Sequence, residues 1–450
     1  MKQKEIIRSF SKLSKDEKLQ AISRHFKDPK GYLKELKSYH HPDGKKQKLF
    51  DEFSENTLTN YFIPYGIAPN FIIDGKIYHI PMVIEESSVV AAASNSAKFW
   101  AQNGGFHTEI ISTEKIGQVH FIWHGSKDKF ISLMPDLKEN LLFRTKHITS
   151  NMEKRGGGIL DIEFVDMSDK MDDYYQLKAT FNTVDSMGAN FINSCLEEFA
   201  QGLKDFLKAS PYFTEDEKRV EIIMSILSNY TPNCLVKAWV ECDISDLDTI
   251  DDELTGEEFA LKFEKAVRIA QIDVHRATTH NKGIFNGIDA VALATGNDFR
   301  AIEAGGHTFA SRDGKYRSLT DIEIKNNRFK YTLTVPLALG TVGGLTSLHP
   351  LVKRSLELLD DPGADELMRI AATAGLANNF GALKSLTTKG IQKGHMKMHL
   401  LNILNKYDAN ADEKEKAKKW FADKKVTVNS VFEFLEKLRS QASGHSEVYS

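Results

Sequence analysis

The chain has 450 residues, more than one domain usually holds, with 41% hydrophobic residues, 27% charged residues and a formal net charge of −3. This is the composition of a soluble globular enzyme of two or three domains, and the near-neutral charge carries no electrostatic footprint for nucleic acid. No window approaches the ~18 consecutive apolar residues of a membrane span, no apolar signal segment leads the chain, and Cys195, Cys234 and Cys242 lack metal-type spacing, so a cytoplasmic protein with reduced thiols is expected.

Residues 1–48 are charged and patterned for helix, with Ile6, Ile7, Phe10, Leu13, Leu19 and Ile22 as apolar positions. His40-His41-Pro42-Asp43-Gly44 reads as a turn, and with no third ligand near the two histidines a loop is expected there. The run 71–84 reads as a hairpin, in which Asp74-Gly75 supplies the positive φ of a two-residue turn. Glu85-Glu86-Ser87-Ser88 then leads into a small-residue helix that Ser87 or Ser88 can cap. Amides at such a helix start can bind an anion, and acids there complement the helix dipole.

Residues 113–228 read as a separate unit, with a strand at 118–124, a helix at 127–147, strands at 159–167 and 174–184, a helix running to about 208 and a strand at 219–228. The order β-α-β-β-α-β is the ferredoxin-like pattern. Gly156-Gly157-Gly158 precedes its second strand, and the dinucleotide glycine fingerprint of a Rossmann domain is absent. Asp185-Ser186-Met187-Gly188-Ala189-Asn190 opens the second helix, where a glycine lets backbone amides approach a phosphate.

The larger part resumes with a strand at 235–244 and a helix at 256–277. The stretch from Arg276 to Arg300 then sets Arg276, Lys282 and Asp298 among Ala, Gly, Ile and Leu. Charges are costly to dry unless paired, so this segment is either a paired core or built for chemistry. Gly305-Gly306-His307, an Arg-Asp-Gly turn near Arg312, a strand at 329–339, the tight loop 340–344 and helices from 350 to 385 follow. The last part, 388–450, is helical with mixed charge. His395 and His399 stand at i, i+4, but no glutamate completes a zinc-protease pattern, and no metal is expected.

Together, Glu85-Glu86-Ser87-Ser88, the Lys282 and Asp298 segment, Asp185-Ser186-Met187-Gly188, the Gly340–344 loop and Gly394-His395-Met396 resemble the motifs of 3-hydroxy-3-methylglutaryl-coenzyme A reductases of the soluble bacterial class II, over most of 50–400. The resemblance implies an α+β fold. A large mixed helix/sheet domain for the CoA thioester would comprise 1–112 and 229–387, with 1–48 as its N-terminal helical part. A small ferredoxin-like NAD(P)-binding domain, 113–228, would be inserted in it, and 388–450 would form a C-terminal helical flap.

It implies Glu86, Lys282, Asp298 and His395 as catalytic residues. Arg276, Ser88, Asn286, Asn379 and Thr279 would contact substrate, and Asp185, Met187, Gly188, Asn190 and Thr149 the cofactor. The implied reaction, in the mevalonate pathway, reduces the thioester with two hydrides from NADPH or NADH, through a hemithioacetal and mevaldehyde, to mevalonate and CoA. Lys282 would stabilise the developing oxyanion, Asp298 would keep Lys282 charged, and Glu86, its pKa raised by Asp298 and burial, would relay protons. His395, on a flap hinged at Gly390 and Gly394, would protonate the departing thiolate. Arg276 would clamp the free carboxylate.

Departures from the family pattern are Ser186 for alanine, Leu345 after the glycine loop, and Leu401 where class I forms carry a regulatory phosphoserine. Thr149 stands where an NADH-using pattern has an acid, and with Arg144, Lys146 and His147 nearby this leans toward NADPH. A homodimer or a hexamer of dimers is implied, with the site between subunits and neither nucleic acid nor membrane as partner. The alternatives are oxidative use of the same site in mevalonate catabolism and a non-catalytic CoA-thioester-binding homologue.

Overall fold

The computed structural model describes residues 6–388, 400–422, 424 and 426–443, and divides into two compact units, Met1–Pro64 and Tyr65–Ser450. The first unit holds α1 (Lys15–Ser23), α2 (Pro29–Ser38) and α3 (Gly44–Asp51), each started by a side-chain cap from Ser14, Asp28 or Asp43. His40 and His41 lie in the loop between α2 and α3. His40 Nε2 meets the Leu58 carbonyl at 3.1 Å, and His41 Nδ1 accepts the Asp43 N–H at 2.9 Å. Among the described residues no cluster of three or more His, Cys, Asp or Glu is placed to hold a metal, and no helix is long and apolar enough to cross a membrane.

The second unit opens with the expected hairpin. Strands β1 (Tyr65–Ile73) and β2 (Lys76–Val83) turn at Asp74 and Gly75, whose φ values are 48° and 83°. Helix α4 (Val89–Trp100) follows, then β3 (His107–Thr113), a strand the alternation did not reveal.

Strand β4 (Lys115–Trp123), helices α5 (Lys127–Arg144) and α6 (Lys146–Glu153), strands β5 (Gly158–Asp166) and β6 (Tyr174–Asn182), helix α7 (Ala189–Ala209) and strand β7 (Val220–Leu227) come next. Their sheet is antiparallel throughout, in the order β5-β6-β4-β7. Numbered within the sheet this is 2-3-1-4, the arrangement of a split βαβ unit. The sheet has its own core, in which Phe121, Trp123 and Leu177 meet Phe199 and Leu203 of α7. The helix expected at 127–147 is two helices, because α5 stops at Arg144.

The rest of the second unit is built on β8 (Cys234–Asp243), helices α8 (Gly256–Ile272), α9 (Val274–Ala294) and α10 (Phe299–Ala310), and strands β9 (Thr320–Lys325) and β10 (Arg328–Pro336). Its sheet order is β3-β8-β10-β9. Alternate residues of β8 are buried, as a half-buried strand requires. The helix expected over 256–277 is broken at Asp273, whose backbone is extended and whose carboxylate accepts the Arg276 N–H at 2.6 Å, capping α9.

Helices α11 (Leu345–Leu348), α12 (Pro350–Leu358) and α13 (Ala364–Thr387) complete this part. Most of α13 is buried, including the unbroken run 370–380, so this helix lies inside the core, packed on all sides. It crosses α9 without room for side chains: a Cβ on Gly287 would stand 2.3 Å from the Ala374 carbonyl oxygen, and one on Gly375 would stand 2.8 Å from Ile288. Towards the end of the chain, Leu400, Ile403 and Leu404 form a third apolar cluster with Val431 and Leu435.

Because the atom opposite Gly287 is backbone, it cannot swing aside. Gly287→Ala is expected to lower the unfolding free energy by about 1–3 kcal/mol, the usual cost of overpacking a core. Chemical denaturation would measure this, and a change below about 0.5 kcal/mol, the size of a neutral surface substitution, would contradict the close crossing.

Candidate active site

Helix α9 presents Arg276, Thr279, Lys282 and Asn286 at spacings of three and four, hence along one face. Lys282 Nζ lies 2.5 Å from Oε2 of Glu86, which sits in the bend between β2 and α4. Both side chains are open to solvent, at 57% and 41% exposure. An exposed pair of this kind adds only ~0–1 kcal/mol to stability, so the fold does not need it.

Ser88 takes the N-cap position of α4, as expected, but its φ is 78° and its hydroxyl makes no capping bond. Ser88, Glu86 and Asn286 instead line a cavity of about 690 Å³ between α4, α9 and α13. The cavity also runs past Asn378, Lys98 and Lys384. Burial pushes the Lys384 ammonium below its ordinary range, and no carboxylate within 4 Å pairs with it or with Lys98 among the described residues. Sequence reasoning missed these cations. The detectable signal was Asn95, Lys98 and Gln102 at helical spacing on an otherwise small-residue helix.

Asn379 is a correction. Its amide is buried, donating to the His280 carbonyl at 2.7 Å and accepting from the Tyr331 hydroxyl, so it cross-links α13 to α9 and β10 and does not face the cavity. Its neighbour Asn378 is the residue that lines it. Arg276 is partly buried and has no carboxylate within 4 Å among the described residues, and desolvation lowers its pKa. Thr279 is exposed and donates to the His275 carbonyl at 3.2 Å. His395 lies outside the described residues.

Asp298 does not join the Lys282–Glu86 pair within the chain. It caps α10 through the N–H groups of Arg300 and Ala301 and grips the Arg300 guanidinium at 3.0 and 3.1 Å. The Arg300 side chain, ahead of those amides, holds its carboxyl below the usual range. The reason is geometric: the twelve helical steps from Lys282 to Ala294 at the end of α9 rise about 18 Å before the chain turns at Gly296 into α10.

The second motif forms a tight turn before α7. Gly188 has φ 89°, and a Cβ there would lie 2.5 Å from Thr183 Cγ2, so only glycine fits. The α7 start has no side-chain cap and no acid in its first turn, and Asn190 is exposed beside it. These free amides fit a phosphate group. Met187 lines a small inner cavity of about 20 Å³.

Asp185, expected to meet the cofactor, turns inward: its Oδ1 accepts the Ala364 N–H at 2.8 Å, at the start of α13, and its carbonyl accepts the Thr341 N–H at 2.8 Å. Thr149 is also inward, buried and donating to Glu153 at 2.6 Å. Two of the cations beside it are neutralised, Arg144 by Glu198 and Asp205 and Lys146 by Glu153, while His147 bonds the Arg144 carbonyl.

Residues 14–400 match the sequence family described as hydroxymethylglutaryl-coenzyme A reductase. The chain is 36% identical over 438 residues to the 3-hydroxy-3-methylglutaryl-coenzyme A reductase of Archaeoglobus fulgidus, covering 96% of this chain and 95% of that one. It is 32% identical over 421 residues to the probable enzyme of Borreliella burgdorferi, covering 92% of each. Among solved structures it is similar to the Streptococcus pneumoniae 3-hydroxy-3-methylglutaryl-coenzyme A reductase, with a TM-score of 0.69 and 34% identity over 96% of this chain and 99% of that one. A class II structure from the same organism, bound to NADPH in open conformations, gives a TM-score of 0.69 and 35% identity over 90% of this chain and 98% of that one.

Two buried groups on α9 give opposite pH dependences. Burial, with Arg276 nearby, lowers the His280 pKa to about 3. The unfolded chain therefore binds a proton that folded His280 refuses, and stability is lost as pH falls below about 6.5. Relative to His280→Gln, the wild type should lose on the order of 4 kcal/mol between pH 6.5 and 3. Asp289 is held well above the carboxylate range by burial and then by Glu303. Its contribution is present at low pH and lost as pH rises through the raised value, so Asp289→Asn should remove a decline toward alkaline pH. Denaturation across pH checks both, and an unchanged profile in either variant contradicts its assignment.

Proposed function

The chain belongs to the hydroxymethylglutaryl-coenzyme A reductase family, and we propose that it reduces 3-hydroxy-3-methylglutaryl-CoA to mevalonate and CoA with the Lys282–Glu86 pair at the reacting carbonyl. The observation that carries this reading is an exposed ammonium–carboxylate contact of 2.5 Å, unneeded for stability, next to a cavity large enough for a thioester. Two molecules of NAD(P)H, bound in succession, would each supply one hydride. Lys282 opposes the negative charge that each attack places on the carbonyl oxygen, and Glu86, in contact with it, passes the proton to that oxygen.

Arg276, partly buried and without a carboxylate within 4 Å among the described residues, binds the free carboxylate of the substrate. Lys98 and Lys384, further along the cavity, suit the phosphates of CoA. His395 protonates the departing thiolate, whose pKa is ~8.5 in the manner of cysteine. The small sheet with the Gly188 turn takes the dinucleotide, and 388–450 forms the flap.

Asp298 enters this site from a second copy of the chain. Support comes from its lack of contact with Lys282 within one chain and from its place at the start of α10. NADPH is favoured over NADH because Lys154 and Arg155, beside the Gly156–158 turn, are exposed and have no ion-pair partner among the described residues.

The purified protein should consume reduced nicotinamide in the presence of 3-hydroxy-3-methylglutaryl-CoA, read by its absorbance. No consumption with either cofactor overturns the reading, and consumption with NADH alone overturns the NADPH preference. Lys282→Ala should lower kcat by at least about 10²–10³-fold, as loss of an oxyanion partner does. Mixed dimers of Lys282→Ala and Asp298→Asn chains should regain activity at one of their two sites. Mixed dimers as inactive as their parents would place both residues in one subunit's site.

A further inference from the structure

Lys115 opens β4, and only 4% of it is exposed. Its ammonium donates to Thr183 Oγ1 at 2.5 Å and to the Ser186 carbonyl at 2.9 Å. The Thr183 hydroxyl donates to the same carbonyl at 2.6 Å. Among the described residues no carboxylate lies within 4 Å of Lys115, and Asp185 and Asp365 act on it only from farther away.

A buried ammonium with only neutral acceptors is costly, and an apolar side chain of similar size would fill the space without that penalty. The cost is therefore explained by what the charge holds. Two donors converge on one carbonyl and fix the plane of the peptide between Ser186 and Met187. The threonine that completes this bridge is the residue that a side chain at Gly188 would strike. Asp185 also brings a negative charge into the turn, beside the amides that fit a phosphate, and the Lys115 charge offsets it.

We propose that Lys115 is a positioning residue for the dinucleotide, whose buried ammonium fixes the Asp185–Gly188 turn and counters the acid beside the pyrophosphate. This rests on the reading that the turn receives the dinucleotide. Lys115 does not touch the reacting atoms, and the small cavity it lines does not include Lys282.

The test uses Lys115→Met in the full chain, with dissociation constants for NADPH, NADH and 3-hydroxy-3-methylglutaryl-CoA measured by titration calorimetry. Dinucleotide affinity should fall about tenfold or more, the scale of one charge-assisted hydrogen bond, with thioester affinity unchanged. Dinucleotide affinity within about twofold of wild type, or equal losses for both ligands, overturns the proposal. If Lys115→Met does not fold, Thr183→Val serves: it removes the bridging hydroxyl and keeps the ammonium. A selective loss of dinucleotide affinity in that variant supports the proposal, and an equal loss for both ligands overturns it. Gly188→Val separates the two levels of the argument, because wild-type dinucleotide binding in that variant would overturn the turn reading itself.

Discussion

The contact on which the rest of the second unit depends is the crossing of α9 and α13 at glycine. Apolar burial brings two helices together, but side chains normally hold their axes 8–10 Å apart. Here Gly283, Gly287 and Gly375 leave backbone facing side chain or backbone. The buried Asn379 amide then ties α13 to the carbonyl of His280, two residues before Lys282. The position of the ammonium is therefore set by the core, although the ammonium itself stands in solvent.

The same economy separates groups that serve the fold from groups that serve a ligand. Asp185, Asp273 and Asp298 each satisfy helix-start amides that would otherwise lack partners. Lys98 and Lys384 of the large cavity, and Arg276 on α9, have no such employment. Lys384 is partly dried and Arg276 likewise, yet among the described residues neither has a carboxylate within 4 Å, and Asp251 acts on Lys384 only from farther away. Charges left uncompensated inside a cleft mark the parts of the surface that an anionic ligand completes.

Local chemistry in the chain foretold the elements that depend on it. Asp74-Gly75 dictated a hairpin, and the succession of patterns from 115 to 227 dictated an antiparallel sheet whose order was then seen. What stayed hidden depends on contacts between distant segments. The alternation of β9 is too short to stand out, and the break at Asp273 is invisible in a continuous helical pattern. Asn379 and Asp185 read as ligand contacts because their motifs contain them, but their burial and partners follow only from how α13 docks. The separation of Asp298 from Lys282 follows from helix length, which spacing along the chain could have revealed had the turn at Gly296 been taken as a break.

Helix α13 begins under the Asp185 carboxylate and, 24 residues or about 36 Å later, ends past the amides and lysine of the large cavity. Its middle, 370–380, is surrounded by packed side chains and has little slack in which to bend. The Asp185–Gly188 turn and the large cavity are thus joined in series by one stiff strut, so a push along its axis at either end would arrive at the other as displacement and not as local deformation.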